Sequence, residues 1–150
     1  MKLVEIINKE TIQLSLVADS KEECIKKMAE QMVQTGAVKN LEAYIQTVLE
    51  REKKGTTGVG FGVAIPHGKS SGVAKPALGF AKLAAPVDWQ SMDNNPVNMV
   101  FLIAVPEEQA GNEHLQILAA IARKLIHAEF RNQLQETKSP EEVIQVLETV

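Results

Sequence analysis

Two long apolar runs constrain the fold of this chain more than any other feature. They extend from Ala77 to Leu83 and from Val97 to Val105. Neither run alternates regularly with polar residues, so both are expected to be strands buried on two faces of a sheet. A sheet that is covered on both faces needs helices on either side. The runs therefore predict an α/β architecture with three layers, and the polar turn from Asp88 to Pro96 is expected at its surface.

Segments with helical periodicity flank the two runs. They begin at the cap residues Ser20, Asn40, Asn112 and Ser139. The first is expected to end near Gly36 and the second before Gly55, because glycine commonly ends helices. Alternation at Ile12, Leu14 and Leu16 predicts an additional half-buried strand. We expect a single three-layer α/β domain over residues 1–150, with a mixed β-sheet flanked by helices on both faces.

Composition narrows the class of protein. The chain has 150 residues and a net charge of −3, and a mildly acidic chain lacks the basic face that nucleic acids require. The single cysteine, Cys24, excludes an internal disulfide. The N-terminus does not resemble a secretory signal, and the run from Val97 to Val105 is too short to span a bilayer. These features predict a cytoplasmic protein that inserts into no membrane and reaches one only through a partner.

A glycine-rich segment is the strongest functional signal. Six of the nine glycines lie between Gly55 and Gly72. Proline disfavours helical geometry in the residue before it, so Val63-Ala64-Ile65 is expected to be a short strand that ends before Pro66. His67 should then project from a tight loop between Pro66 and Gly68. Loops that are so closely specified are often functional.

The chemistry of this loop suits phosphoryl transfer without a nucleotide. Gly68-Lys69-Ser70 resembles the end of a P-loop, but Val63 stands where that motif needs glycine, and the glycines at 58, 60 and 62 do not match the dinucleotide fingerprint. The His67 ring can hold a covalent group. Backbone N–H groups after Gly68 and the hydroxyl of Ser70 can donate to phosphoryl oxygens.

The residues around His67 resemble the active-site signature of the enzyme IIA proteins of the fructose/mannitol class. The matching residues are Glu52, Thr57-Gly58-Val59-Gly60, Val63-Ala64-Ile65-Pro66-His67-Gly68 and Asn112-Glu113-His114-Leu115. These proteins belong to the phosphoenolpyruvate-dependent sugar phosphotransferase system. The resemblance implies that His67 accepts a phosphoryl group from phospho-HPr through Nε2 and passes it to the IIB component of a sugar transporter, with fructose as the expected sugar. It implies neither a cofactor nor a metal.

The same resemblance assigns roles to two further residues. His114 and Arg51 are expected to contact the phosphoryl group, with Ser70 and Gly68 as weaker candidates. From spacing alone, His114 also fits a partly buried core residue and Arg51 a solvated helix residue. Phe61 and Val63 are candidates for an apolar rim that docks partners, although Phe61 fits an inward-facing position equally well.

Two alternative functions follow from the same residues. A regulatory enzyme IIA of the nitrogen-related type would use the same histidine but bind target proteins according to its phosphorylation state. A metal site built from His67, His114 and His127 would lack the paired Cys and His spacing of strong sites. We expect His127 to be a cap or surface residue.

Overall fold

The computed structural model describes residues 2–108 and 113–150. The strands are β1 (Ile12–Leu16), β2 (Gly58–Gly60), β3 (Val63–Ala64), β4 (His67–Ser70), β5 (Ala77–Val87) and β6 (Val97–Pro106). The α-helices are α1 (Lys21–Gln34), α2 (Leu41–Lys54), α3 (Glu113–Leu125), α4 (Ala128–Gln135) and α5 (Pro140–Leu147). No helix of the described residues has the length and apolar character needed to cross a membrane.

The two apolar runs form the centre of a mixed sheet. Its strand order is β1-β5-β6-β3-β2, and β4 also pairs with β6. Strands β5 and β6 are antiparallel, whereas β1 is parallel to β5, and both β3 and β4 are parallel to β6. Phe80 and Phe101 face each other across the central pair with their ring centroids 4.9 Å apart. The mixed sheet confirms the predicted fold class.

Helices cover the sheet on both faces, as predicted from the apolar runs. One core cluster lies between the sheet and helices α1 and α2, and includes Ile25, Met32, Tyr44, Val48 and Trp89. The second lies between the sheet and helices α3 to α5, and includes Phe80, Phe101, Ile121, Leu134 and Leu147. The sheet therefore separates two apolar layers.

The predicted helix caps are present where the structure describes them. The side chains of Ser20, Asn40 and Ser139 accept hydrogen bonds from the backbone three residues on, at 3.1, 3.1 and 3.2 Å. Helix α2 ends at Lys54, before Gly55, as expected. The predicted cap at Asn112 lies outside the described residues. His127 is exposed and stands at the N-cap position of α4, although its side chain makes no cap hydrogen bond.

Two details differ from the sequence-based expectation. His67 was expected in a loop, but it is the first residue of β4. Pro66 has no N–H, yet its carbonyl accepts the N–H of Ile103 at 3.0 Å, so pairing with β6 resumes directly after it. Val63 was a candidate for a docking rim, but it is fully buried in the core under α3 to α5. That assignment was wrong because β3 lies inside the sheet.

Candidate active site at the edge of the sheet

The His67 ring is oriented by its own backbone. Strands β3 and β4 follow each other along one side of β6, and Ile65 and Pro66 join them. The Nδ1 atom of His67 lies 2.9 Å from the carbonyl oxygen of Ile65. A carbonyl can only accept, so in the neutral ring Nδ1 holds the proton and donates it. The lone pair is then on Nε2.

His67 lines a groove in which the two helical layers meet. The groove has a volume of about 510 Å³ and is lined by Thr47, Glu50, Arg51, Lys54, His67, Gly68, Lys69, Leu115 and Leu118. Helix α2 supplies one wall, α3 supplies the other, and β4 lies between them. Three cationic side chains and one carboxylate make the lining basic, which suits an anionic group.

Arg51 enters the groove from the last turn of α2. Its Nη1 atom donates to the carbonyl oxygen of Gly55 at 2.8 Å, and its side chain is half-buried. This bond fixes one end of the guanidinium on the turn that follows the helix. The remaining N–H groups can donate to another acceptor, because guanidinium carries five. The structure thus places Arg51 and His67 on one groove.

Gly68 allows α2 to approach β4 closely. A Cβ atom built at Gly68 would lie 2.9 Å from Val48 Cγ2 and 3.4 Å from Tyr44 Cε1. Pro66 and Ser70 both accept N–H groups of β6 or the residue after it. Since backbone groups alternate along a parallel strand, the N–H of Gly68 also points to β6. Gly68 therefore lines the groove while its amide belongs to the sheet.

Ser70 is not brought into this groove. Its side chain is buried, and its Oγ accepts the backbone N–H of Gly72 at 3.0 Å. It lines a neighbouring depression of about 290 Å³ with Ser71 and Glu107. Lys69 lines both depressions because it stands between them on β4.

His114 lies in the first turn of α3, and its side chain is outside the described residues. The next residue, Leu115, lines the groove and is exposed. The beginning of α3 is therefore adjacent to His67. The role of His114 stays a prediction.

A buried polar cluster at the end of α2 was not assigned a role from the sequence. Its centre is Glu52, whose carboxylate accepts from the backbone and hydroxyl of Thr57 and from the indole N–H of Trp89. The spacing could have indicated this placement. Tyr44, Val48 and Glu52 recur every four residues, so all three lie on the buried face of α2.

The hairpin between β2 and β3 presents an exposed aromatic residue. Phe61 has a φ angle of 60° and is 56% exposed. Its ring lies 4.2 Å beneath the guanidinium carbon of Arg131, and its N–H donates to Asp93 at 3.1 Å. Of the two placements open to Phe61, the structure has the exposed one. Phe61 is not part of the groove lining.

Comparison with known proteins shows the family of the chain. Residues 5–150 match the family model for "Phosphoenolpyruvate-dependent sugar phosphotransferase system, EIIA 2". The chain is 40% identical over 141 residues to the fructose-specific EIIA component of Haloferax volcanii, covering 94% of this chain and 91% of that protein. It is 38% identical over 148 residues to a nitrogen regulatory protein of Bradyrhizobium diazoefficiens, covering 98% and 95%.

The chain also matches part of a larger protein. It is 36% identical over 147 residues to the fructose-specific EIIABC component of Bacillus subtilis, covering 98% of this chain but 23% of that protein. The chain thus spans less than a quarter of the length of that relative.

Solved structures share the fold. The nitrogen regulatory protein IIA-Ntr from Neisseria meningitidis superposes with a TM-score of 0.88 at 32% identity, covering 96% of this chain and 97% of that one. Enzyme IIA mannitol from Escherichia coli, in complex with phosphorylated enzyme IIB mannitol, superposes with a TM-score of 0.81 at 29% identity, covering 97% and 100%. This chain belongs to the EIIA 2 family of the phosphoenolpyruvate-dependent sugar phosphotransferase system.

Proposed function

We propose that this protein is a phosphoryl carrier whose acceptor atom is Nε2 of His67. The observation that supports this most directly is the 2.9 Å contact between Nδ1 and the carbonyl oxygen of Ile65. This contact favours the tautomer in which Nδ1 holds the proton, which leaves the lone pair on Nε2 in a basic groove. A histidine with this arrangement can act as a nucleophile without an external base.

The transfer is an in-line displacement in which one bond forms as another breaks. The Nε2 lone pair forms a bond to phosphorus, and the bond from phosphorus to the donor's nucleophilic atom breaks. The ring becomes positively charged as Nε2 donates its electron pair. The Ile65 carbonyl stabilises that charge through Nδ1–H, and Arg51 donates to the phosphoryl oxygens, whose charge is spread in the transition state. The reverse displacement hands the group to the next acceptor.

The family resemblance supports phospho-HPr as the donor and a IIB component as the acceptor. The relatives named fructose-specific support fructose as the sugar. His114 is proposed as a second contact to the phosphoryl group. Ser70 is not included, since its hydroxyl is buried beside Gly72.

A regulatory function is the second candidate. It is favoured by the nitrogen regulatory proteins, which include a relative at 38% identity and a structure with a TM-score of 0.88. In that case His67 would still accept the phosphoryl group. The phosphorylated and unphosphorylated forms would then differ in their binding to target proteins instead of feeding a transporter.

Intact-mass measurement tests the carrier step. The protein is incubated with phosphoenolpyruvate, enzyme I and HPr, beside its His67→Ala variant and a His127→Ala variant that removes an exposed histidine outside the groove. We expect one acid-labile phosphoryl group on the wild type and on His127→Ala, and none on His67→Ala. Absence of the group on the wild type, with a control acceptor phosphorylated in the same mixture, would exclude the proposal.

A second step separates the two candidates. The phosphorylated protein is mixed with a fructose-type IIB protein, and the loss of its phosphoryl group is followed over time. Rapid loss, with a matching gain on IIB, supports the transport function. Retention of the group in the presence of active IIB favours the regulatory function.

A further inference from the structure

A buried carboxylate of α2 is connected to His67 by consecutive hydrogen bonds. Glu52 is 7% exposed, and its Oε2 accepts the backbone N–H of Thr57 at 3.3 Å. The carbonyl of Thr57 accepts the N–H of Ile65 at 3.0 Å. The carbonyl of Ile65 in turn accepts Nδ1–H of His67 at 2.9 Å. Only Thr57 and Ile65 stand between the carboxylate and the ring.

The hydroxyl of Thr57 forms a second hydrogen bond between Thr57 and the carboxylate of Glu52. The indole N–H of Trp89 donates to Thr57 Oγ1 at 3.2 Å. With a lone pair occupied in this way, the hydroxyl proton points to the other neighbour, Oε1 of Glu52. Lys21 adds its ammonium group 3.7 Å from Oε2. Burying a carboxylate is unfavourable unless donors surround it, and here backbone, hydroxyl, indole and ammonium groups do so.

The same turn anchors the cation of the groove. The N–H of Gly55 donates to the backbone carbonyl of Glu52 at 3.2 Å, and the carbonyl of Gly55 accepts from Arg51 at 2.8 Å. The segment from Gly55 to Thr57 is therefore fixed to α2 at both ends. One fixed turn determines the positions of two side chains that line the groove.

We infer that Glu52 is a positioning residue for phosphoryl transfer at His67. It holds Thr57, which places the Ile65 carbonyl where it accepts Nδ1–H and leaves the lone pair on Nε2. This inference rests on the proposed function of His67. It assigns to Glu52 no contact with the phosphoryl group, because Glu52 is not part of the groove lining.

A matched set of variants tests the connection. Thr57→Val keeps the size of the side chain but removes the hydroxyl, whereas Thr57→Ser keeps the hydroxyl. Glu52→Gln keeps the shape of the side chain but replaces one carboxylate oxygen with an NH2 group, which then faces other donors. Ile25→Val shortens a fully buried side chain of α1 and serves as the control for a loss of stability alone.

Two readouts are needed. Single-turnover phosphorylation by phospho-HPr should show the maximal rate constant lowered about tenfold in Thr57→Val and Glu52→Gln, with the half-saturating concentration of phospho-HPr unchanged within about twofold, because small misplacements of a reacting group are costly. Nitrogen NMR of the His67 ring should show the Nδ1–H tautomer in the wild type and a larger Nε2–H population in both variants. Thr57→Ser and Ile25→Val should match the wild type in both readouts.

An unchanged tautomer in Thr57→Val, or a maximal rate constant as low in Ile25→Val as in Thr57→Val, overturns the inference. If Glu52→Gln does not fold, the Thr57 pair decides alone. If the wild type takes no phosphoryl group, the proposed function fails, and the tautomer comparison still decides whether the ring is positioned from Glu52.

Discussion

Replacing Gly68 with alanine tests whether β4 is fitted directly against α2. The added Cβ would lie 2.9 Å from Val48 Cγ2 and 3.3 Å from Thr47 Cγ2, whereas carbon atoms in contact normally stand about 3.5 to 4.0 Å apart. Valine keeps one χ1 rotamer inside a helix, and the hydroxyl of Thr47 donates to the carbonyl of Ala43 at 2.9 Å, so neither methyl group can simply rotate away. The strand or the helix must therefore move.

The expected loss of stability follows from this overlap. Overpacking a well-packed core costs about 1 to 3 kcal/mol. Alanine recovers about 0.5 to 1 kcal/mol, because it restricts the unfolded chain more than glycine does. The free energy of unfolding should fall by about 0.5 to 2 kcal/mol. For a protein of this size, the melting temperature should fall by roughly 1 to 8 °C.

Urea unfolding followed by the fluorescence of Trp89, the single and fully buried tryptophan, measures this change. Gly55→Ala is the matched control, since a Cβ there meets nothing within 4 Å and its φ of 164° is extended backbone. Adding Val48→Ala to Gly68→Ala should relieve the overlap and give a coupling energy of about 1 kcal/mol. Equal stability of Gly68→Ala and Gly55→Ala, or strict additivity in the double variant, would refute the close approach.

Three further predictions concern the groove and the protein's titration. Arg51→Lys should slow phosphoryl acceptance about tenfold and Arg51→Ala about 100-fold, measured by rapid-quench phosphorylation, and equal rates in all three proteins would refute the role of the guanidinium. Burial raises the pKa of Tyr44 well above its ordinary value while its hydroxyl donates to the Ile103 carbonyl at 2.8 Å. Stability should therefore decline as the pH rises above about 10, the pKa of tyrosine in the unfolded chain. Since Tyr44 is the single tyrosine, absorbance at the wavelength of tyrosinate should change only with unfolding. The backbone N–H of Asn95 lowers the pKa of Asp93. The carboxylate of Asp93 therefore stabilises the fold above its unfolded pKa of about 4, and this stabilisation is lost as the pH falls through the folded value. Asp93→Asn should weaken the dependence of stability on pH in this acid range, and an unchanged dependence would contradict the assignment.

The layers of the fold follow from local patterns in the sequence. The apolar runs predicted from Ala77 and from Val97 are the strands β5 and β6, and the predicted caps at Ser20, Asn40 and Ser139 begin helices α1, α2 and α5. These signals are reliable because they depend on neighbours within a few residues. Burial on both faces of the central strands then dictates the helices on both sides.

The details at the site depend on contacts distant in sequence, and there the local signals were insufficient. Glycine and proline around His67 favoured a loop, but pairing with Ile103 and its neighbours on β6 makes it a strand. Gly68 was expected as a weaker contact to the phosphoryl group, and its surroundings show that its missing side chain lets α2 approach β4. Such tertiary pairing overrides local propensity. Four-residue spacing from Val48 indicates that Glu52 is buried, but no local pattern indicates that Trp89 donates to its carboxylate.

The groove is lined from both faces of the sheet, by Arg51 of α2 on one face and by Leu115 of α3 on the other. Within each layer the side chains pack among themselves, so the sheet insulates one half of the molecule from the other. A partner bound over His67 would contact both helical layers at once. Docking at this single spot should therefore slow hydrogen exchange in α2 and in α3 together, although the two helices belong to separate cores.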